Sequence, residues 1–407
     1  MEKIHIIGAG ISGLIAATVL EKNGFHPVII EATDRPGGRI KTDIVDGYQL
    51  DHGFQVLLTA YPAAQKYLDF DSLDLQVLLP GASIFKNNKQ KIIGDTLNNI
   101  SLLFPTLFSG IGNFSDKLKI LKLNNRLKKK SLVSIFSSKE QSTLSYLIDL
   151  GFSNQIITDF FNPFFTGIFL EPHLDTSSRM FEFVYKMFGA GSAAIPKAGI
   201  EAIPKQLFQN LSNTTFKFNT KVAAIGDGQI TLEDKTKFKS LCTIDATNLL
   251  SHSKNHSTKW KSCHVLYFET ENKIIRKKLI GLVPEKETII NNIFYHTSLE
   301  TAEIAKKELL SVTVFDNNNL AEVALIKHVR NVLQKHCGIN PGRFIKRYYI
   351  PQALPNLEDV QYDMTHLQTC LTKNIFLAGD TQLNGSLNAA IISGEKAAMR
   401  VIEKLSN

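Results

Sequence analysis

At 407 residues, with 43% apolar and 21% charged side chains, the chain has a globular composition and room for two domains or one large interleaved fold. No apolar run reaches the roughly 18 residues of a membrane span, and Cys242, Cys263, Cys337 and Cys370 form no CxxC pair, so neither a zinc site nor a redox disulfide is expected. The net charge of +8 is uneven: residues 117–130 hold seven Lys or Arg and no acid.

Residues 3–7 (Lys-Ile-His-Ile-Ile) predict a short buried strand. Gly8-Ala9-Gly10-Ile11-Ser12-Gly13 follows at once, and 14–22 predict a helix. A second apolar strand, 27–30, ends on Glu31. This is a βαβ unit carrying a dinucleotide fingerprint in its full context. Gly8 permits the tight turn, Gly10 lets backbone approach a pyrophosphate, and Gly13 lets helix pack close to strand. The helix N-terminus, with Ile11 and Ser12, offers free N–H groups and a positive dipole end to phosphates. Glu31 is placed to accept hydrogen bonds from a ribose diol, which disfavours a phosphorylated ribose and leaves NAD or FAD.

Asp34-Arg35-Pro36-Gly37-Gly38-Arg39 is a second glycine-rich turn directly after the ribose-binding strand. Here the sequence resembles the superfamily of flavin-containing amine oxidases, phytoene desaturases and protoporphyrinogen oxidases, whose members carry R-x-G-G-R at this point. The resemblance implies FAD, with Arg35, Gly37, Gly38 and Arg39 along its pyrophosphate and flavin edge and Ala32, after Glu31, among the cofactor-binding residues. Residues 47–55 read as a strand entering a turn, which in the family brings Gly53, Phe54 and Gln55 to the flavin side. His52 reads as structural rather than as a catalytic base, and no catalytic residue is assigned. Residues 61–68 predict a helix with Pro62 in its first turn.

Residues 100–114 are apolar but too short to span a bilayer, and Pro105, Gly110 and Gly112 interrupt them. Ser115 then reads as a helix cap, with Asp116 favourable to the dipole. An apolar loop followed by a basic amphipathic helix fits a membrane-surface element, and fits a solvated basic helix as well. Residues 142–149 predict a helix closed by Gly151. The aromatic stretch 160–170 has its periodicity broken by Pro163 and Gly167, and 180–188 predict another aromatic helix. Together they predict a helical lid over an apolar cavity; many of the 26 phenylalanines fall here. Residues 195–207 begin the return to the nucleotide-binding part. Residues 216–225 predict one strand, followed by a turn at 226–228 and a strand at 229–232. The resemblance implies that Val222 meets the adenine through its backbone. Residues 243–247 predict a strand that ends near the cofactor at Ala246. Segments 264–268, 289–295, 310–315 and 343–349 alternate and predict antiparallel strands.

Residues 374–380 predict a strand ending in Gly379-Asp380, and a helix opens near Leu387. This resembles the second FAD motif of the same superfamily. The resemblance puts Asp380 at the ribityl–phosphate part, beside Gly379. It also aims the helix N-terminus, with Ser386, Leu387 and Asn388, at the N1–C2=O edge of the flavin. Amine oxidases of the family often carry an aromatic residue where this chain has Ser386, so the departure favours the desaturase and porphyrinogen-oxidase branches.

The expected fold is α/β: a Rossmann-type FAD-binding domain (1–80, 195–255, 365–407) interleaved with an α+β substrate domain (81–194, 256–364) of antiparallel sheet plus helical lid. The expected activity is FAD-dependent dehydrogenation of a lipophilic, isoprenoid- or carotenoid-like substrate by hydride transfer to flavin N5. The alternatives are a flavin amine oxidase releasing hydrogen peroxide, and a non-redox flavin-dependent isomerase or binding protein. No metal and no nucleic-acid partner is expected. The N-terminus runs straight into the first strand, so no signal peptide is expected. The expected location is cytoplasmic, with residues 100–130 as the candidate contact to the inner membrane surface.

Overall fold

The computed structural model describes residues 3–94, 112–250, 258–285, 288–302, 307–315 and 320–406 and builds them around two seven-stranded sheets. In the first, Thr215–Lys217, Val28–Ile30, Lys3–Ile7, Lys237–Asp245 and Ile375–Leu377 lie side by side and parallel. Residues from the two ends of the chain thus meet in one sheet. Its central strands are buried on both faces, which is why they read as continuous apolar runs. The helix Ile11–Lys22 is enclosed too: Leu14, Ile15, Ala16, Ala17 and Leu20 have no exposed surface. Against it lies the C-terminal helix, Leu387–Ser406. A Cβ on Gly394 would stand 2.3 Å from the Ser12 carbonyl oxygen, so the two backbones touch.

The stretch 216–225 is two strands, not one. Thr215–Lys217 joins the parallel sheet, while Val222–Gly226 pairs with Gln229–Leu232 in an antiparallel ribbon on Lys237–Asp245. Asn219 turns between them at a φ of +51°, a conformation asparagine tolerates better than most residues.

The second sheet runs Phe344–Asn356, Lys259–Thr270, Glu308–Phe315, Ile290–Tyr295, Ile280–Leu282, Gly81–Lys86, Lys89–Gly94. Its pairings are antiparallel except between Ile280–Leu282 and Gly81–Lys86. The helix Glu322–Cys337, absent from the sequence reading, buries Leu325, Val329 and Leu333 in one cluster with Phe268, Leu310 and Val312 of this sheet.

The aromatic helices pack against the sheet. One turn of π-helix, Ile157–Phe161, runs straight into Asn162–Phe169. Pro163 therefore does not break the helix. It sits in the first turn of the α-helical part, where its missing N–H is an orphan in any case. Gly167 does not break it either. A Cβ there would stand 2.6 Å from Asn291 Oδ1, so the glycine allows helix and sheet to touch. Phe161 and Phe165 meet Phe181 of the helix Ser178–Ala190, with the Phe165 and Phe181 ring centroids 4.6 Å apart.

The basic helix spans Phe114–Lys129, and its cap is Asn113 rather than Ser115. Asn113 Oδ1 accepts from the Asp116 N–H at 2.8 Å, and Asp116 Oδ2 accepts from the Asn113 N–H at 2.8 Å. Of the apolar run before it, residues 100–111 lie outside the described residues.

The hairpin Thr42–Val45/Tyr48–Asp51 bridges the two halves. Tyr48 and Leu50 join Val265 and Tyr267 of the second sheet, while Asp51 Oδ1 accepts from Thr42 Oγ1 at 2.6 Å and from the Ile200 N–H at 3.1 Å. Burial, reinforced by nearby Glu201, pushes the Asp51 carboxyl from 3.8 up to about 6, although those two hydrogen bonds oppose the shift. A carboxyl whose folded pKa is raised binds its proton more tightly in the folded state. Stability therefore falls as pH rises from 3.8 to about 6 and stays lower above that. The amide oxygen of an asparagine at this position can keep both donors without the charge. Asp51→Asn is therefore expected to stabilise the protein by roughly 2–3 kcal/mol at neutral pH, with the gain shrinking toward pH 4. Melting curves across that range check it, and an equal gain at every pH would contradict the assignment to Asp51.

Candidate functional site

The two glycine turns lie against each other at the ends of the parallel strands. The Gly37 N–H donates to the Ala9 carbonyl at 2.9 Å, and a Cβ on Gly38 would stand 3.2 Å from Gly10 Cα. A Cβ on Gly13 would stand 2.0 Å from the Gly8 carbonyl oxygen, so helix and turn are in backbone contact. Gly10 differs: a Cβ there would meet nothing nearer than 4.0 Å. Its open side is the face from which a pyrophosphate would approach the free N–H groups at the start of the helix. Glu31 is pinned in place, Oε2 accepting from the Ala9 N–H at 2.7 Å and Oε1 from the Thr33 N–H at 2.9 Å. Oε1 also accepts from Thr33 Oγ1 at 2.8 Å, so it is Oε2 that keeps a lone pair for a ribose hydroxyl.

The C-terminal motif closes on the same place. Arg39 Nη2 donates to Asp380 Oδ1 at 2.5 Å across 341 residues of sequence. The Gly379 N–H donates to Ser393 Oγ at 2.9 Å, tying the strand end to the last helix. Ser386 is that helix's cap: its Oγ accepts from the Ala389 N–H at 3.1 Å.

One cavity of about 1450 Å³ joins these parts. At one end it is lined by Gly8, Gly10, Ile11, Ser12, Glu31 and Ala246. Beside them lie Gly37, Gly38 and Arg39 of the second turn, and Gly53, Phe54 and Gln55 after the hairpin. Gly379, Asp380, Ser386 and Leu387 complete that end. A glycine-lined phosphate turn, a free helix N-terminus and a pinned ribose carboxylate, with a second helix aimed at the same space, fit a flavin dinucleotide. A nicotinamide dinucleotide would leave the C-terminal half of this cradle unexplained.

Five expected cofactor residues do not line the cavity. Gly13 acts beneath the turn, as the backbone contact above shows. Ala32 points to solvent. Arg35 is turned the other way: its Nε donates to Glu201 Oε1 at 2.8 Å and its Nη2 to Asp43 Oδ1 at 2.8 Å, which bolts the turn to the hairpin. Val222 is buried with Ile7, Ile30 and Ile375. Asn388 has no exposed surface, and its Oδ1 accepts from the Ala63 N–H at 3.0 Å.

At its other end the cavity is aromatic, lined by Phe160, Phe164, Phe165, Phe169, Tyr185 and Phe188. The facing sheet contributes Ile280, Leu282, Asn292 and Thr313. Asn292 and Thr313 are opposite each other across two strands, and Asn292 Oδ1 and Thr313 Oγ1 have no hydrogen-bond partner among the described residues. They are polar points in an apolar wall.

His52 lines the cavity with Nε2 only 3.1 Å from Asp43 Oδ2, though without the alignment of a hydrogen bond, and its ring lies 4.2 Å from that of Tyr348. Burial lowers its pKa despite Asp43, so the imidazole is neutral at pH 7 and held in place by its neighbours. Two cavity residues escaped the sequence reading. Lys261 donates from Nζ to the Phe169 carbonyl at 2.8 Å, and burial lowers its pKa. Trp260 lies under Arg39, with the guanidinium carbon 5.2 Å from the ring centre. Both sit near the start of the strand Lys259–Thr270, where no motif marks them; the one signal was that Trp260 is the chain's single tryptophan.

The model of the family of flavin-containing amine oxidoreductases matches residues 11–402. Protoporphyrinogen oxidase 2 of Arabidopsis thaliana is 25% identical over 171 residues, 41% of this chain and 32% of that protein. A 4,4'-diapolycopen-4-al dehydrogenase of Metabacillus indicus is 43% identical over 56 residues, 14% of this chain and 11% of that protein. The chain thus spans a third or less of these relatives. Among solved structures, an oxidoreductase from Methanosarcina mazei aligns over 98% of this chain and 100% of its own, with a TM-score of 0.71 and 17% identity, a likeness of fold.

Proposed function

The chain belongs to the family of flavin-containing amine oxidoreductases, and from that premise we propose that this FAD-dependent oxidoreductase dehydrogenates a lipophilic, isoprenoid-like substrate. The observation that carries the reading is the single cavity of about 1450 Å³ that runs from the glycine turns to the phenylalanine wall. Bound at the glycine end, FAD supplies a hydride acceptor. The work of this chain is then positioning and exclusion of water. Phe160, Phe164 and Phe188 offer an apolar substrate flat surfaces against which a polyene chain can lie. His52, neutral and held beside Asp43, takes no proton in this reading. Asp380, paired with Arg39, joins the two motifs at the cofactor end of the cavity.

Glu171 and Asp175 also line the cavity and favour a second reading, amine oxidation, in which a carboxylate would hold an ammonium group. Against it, Glu171 is oriented by its own turn, Oε2 accepting from the His173 N–H at 2.8 Å and Oε1 from the Thr176 N–H at 3.2 Å, and Asp175 is exposed to water, where an ion pair with an ammonium gains little. Ser386 moreover serves as a helix cap where an aromatic cage would need a ring.

Among the described residues no helix is long and apolar enough to cross a membrane. A cytoplasmic enzyme that meets its substrate at the inner membrane surface is the reading that suits the cavity. The test is anaerobic mixing of the holoenzyme with a C40 polyene such as phytoene and, separately, with simple amines such as putrescine. Bleaching of the flavin by the polyene alone is the expected result. Bleaching by the amine, with peroxide released on admitting air, would replace this reading with the second.

A further inference from the structure

We infer that the outward face of the helix Phe114–Lys129 docks on an anionic lipid bilayer and that the cavity opens there to take substrate from the lipid. This rests on the lipophilic-substrate reading above.

The helix wears two faces. Leu123 and Leu127 are buried in the same core as Phe181 and Val184 of the helix Ser178–Ala190, which packs against it. On the outward side Phe114 is 74% exposed, Leu118 52% and Leu121 38%. Positions 114, 118 and 121 are spaced i, i+4 and i+7, so the three form one stripe. A solvated basic helix would place polar residues there. At 3.6 residues per turn, Lys117 and Lys128 fall on one flank of the stripe and Lys122 and Lys129 on the other. Apolar side chains flanked by long cationic ones suit an interface in which the rings and branches enter the acyl boundary while the ammonium groups reach the headgroups.

The charges divide by role. Arg126 and Lys130 turn inward and share the buried carboxylate of Glu182. Asp116, the acid nearest the stripe in sequence, is buried, and its Oδ1 accepts from the Ser153 N–H at 2.9 Å. Lys122, Lys128 and Lys129 are exposed and have no ion pair among the described residues. The exposed charges of the outward face, Lys122, Lys128 and Lys129, are therefore all cationic, which selects an anionic surface.

The stripe also lies at the cavity. Phe114, Lys117, Leu118, Leu121 and Asn124 line it together with the phenylalanine wall. Of the acids that line it too, Glu140 pairs with Arg179 at 3.2 Å and Glu171 caps the backbone as described, while Asp175 and Glu358 are exposed. A substrate leaving the acyl layer at this helix would pass over exposed apolar side chains into a cavity of the same character, without crossing water.

Flotation of the FAD-loaded protein with vesicles tests the docking without any turnover. The vesicles are phosphatidylcholine alone, or with about a third phosphatidylglycerol. Wild type is expected to float with the anionic vesicles and to be released at high salt. The triple variant Lys122→Glu, Lys128→Glu, Lys129→Glu should bind them at least about a hundredfold more weakly, the lost attraction of three lysines alone giving that factor and the new carboxylates adding repulsion. Lys130 is left alone because reversing it would strand Glu182. Phe114→Ser with Leu118→Ser should weaken binding to both vesicle types. Flavin content and melting temperature, unchanged in both variants, show that they fold. Wild type that stays unbound with anionic vesicles overturns the inference, as does undiminished binding by the triple variant. Uptake of diphenylhexatriene, read by its fluorescence, separates the two claims. A protein that takes up the probe but ignores vesicles loses only the docking surface, and one that takes up no probe loses the lipophilic-substrate reading and this inference with it.

Discussion

Gly13→Ala is expected to yield a colourless, poorly stable protein, whereas Gly10→Ala should fold normally and fail only to hold its flavin. The two glycines stand three residues apart in one motif, yet they answer to different physics. A methyl at position 13 would stand 2.0 Å from the Gly8 carbonyl oxygen. That neighbour is backbone, so no rotamer relieves the clash. The helix Ile11–Lys22 would have to move off the sheet, and from Ile11 to Ala17 every one of its residues is buried. Alanine's better helix propensity returns about 1 kcal/mol, against a repacking cost of about 3 kcal/mol or more. At position 10 the backbone is extended, with φ −74° and ψ 178°, which any residue adopts, and a methyl would meet no protein atom closer than 4.0 Å. The methyl instead occupies the side from which the pyrophosphate approaches. Visible flavin absorbance after desalting reads cofactor retention, and melting of the flavin-free forms reads the fold. Normal flavin content in Gly13→Ala would sink the packing argument. Equal melting temperatures for the two variants would show that the glycines do the same job.

The cofactor half was largely legible in the sequence because its signals are local. A strand, a glycine turn, a helix and a second strand ending on Glu31 fit within 31 residues, and each has its own backbone requirement. Arg35 shows where that legibility stops. The motif placed it on the pyrophosphate, but which way a loop arginine turns is decided by Glu201 and Asp43, and no local pattern announces Glu201 as a partner. The same holds for the strand 216–225. Its apolar content fits one strand, while Asn219 divides it because Thr215–Lys217 and Val222–Gly226 have different partners elsewhere in the chain. Helix Glu322–Cys337 was hidden for another reason. Its buried residues Leu325, Val329, Val332, Leu333 and Cys337 do recur at helical spacing, but they lie inside a stretch whose neighbours on both sides alternate as strands, and no cap or motif marks the helix start at Ala321.

The substrate half resisted because its character lies in the juncture of elements. The phenylalanines of 160–188 suit a solid core as well as a cavity wall. Only the structure shows that Phe161, Phe181 and Phe183 are core, without exposed surface, while Phe160, Phe164 and Phe188 are partly exposed and line the cavity. The π-turn at Ile157–Phe161 is part of this division. It shifts the side-chain register within the aromatic run, as such turns do at functional sites.

Arg39 and Asp380 should show an asymmetric double-mutant cycle. The Asp380 side chain is 6% exposed and that of Arg39 39%. Arg39→Ala leaves a buried carboxylate with no cation, expected to cost about 3 kcal/mol. Asp380→Asn leaves a guanidinium that water can reach and that still stacks on Trp260, expected to cost about 1 kcal/mol. In the double variant neither charge remains, so its cost should fall below that of Arg39→Ala alone. The coupling energy from the four melting curves is the measure. Flavin binding adds a second readout. Both residues line the cavity, and if FAD binds there with its diphosphate near Asp380, loss of Arg39 would leave that carboxylate to repel it without a cation to screen it. Arg39→Ala should therefore lose flavin more than its stability loss alone predicts, and Asp380→Asn in that background should restore part of it. Additive costs, with no restoration, would mean that the pair is a surface contact. Sub-additive costs with restoration would mean that this ion pair joins the first 39 residues to the last helix and sets the charge balance on which the cofactor depends.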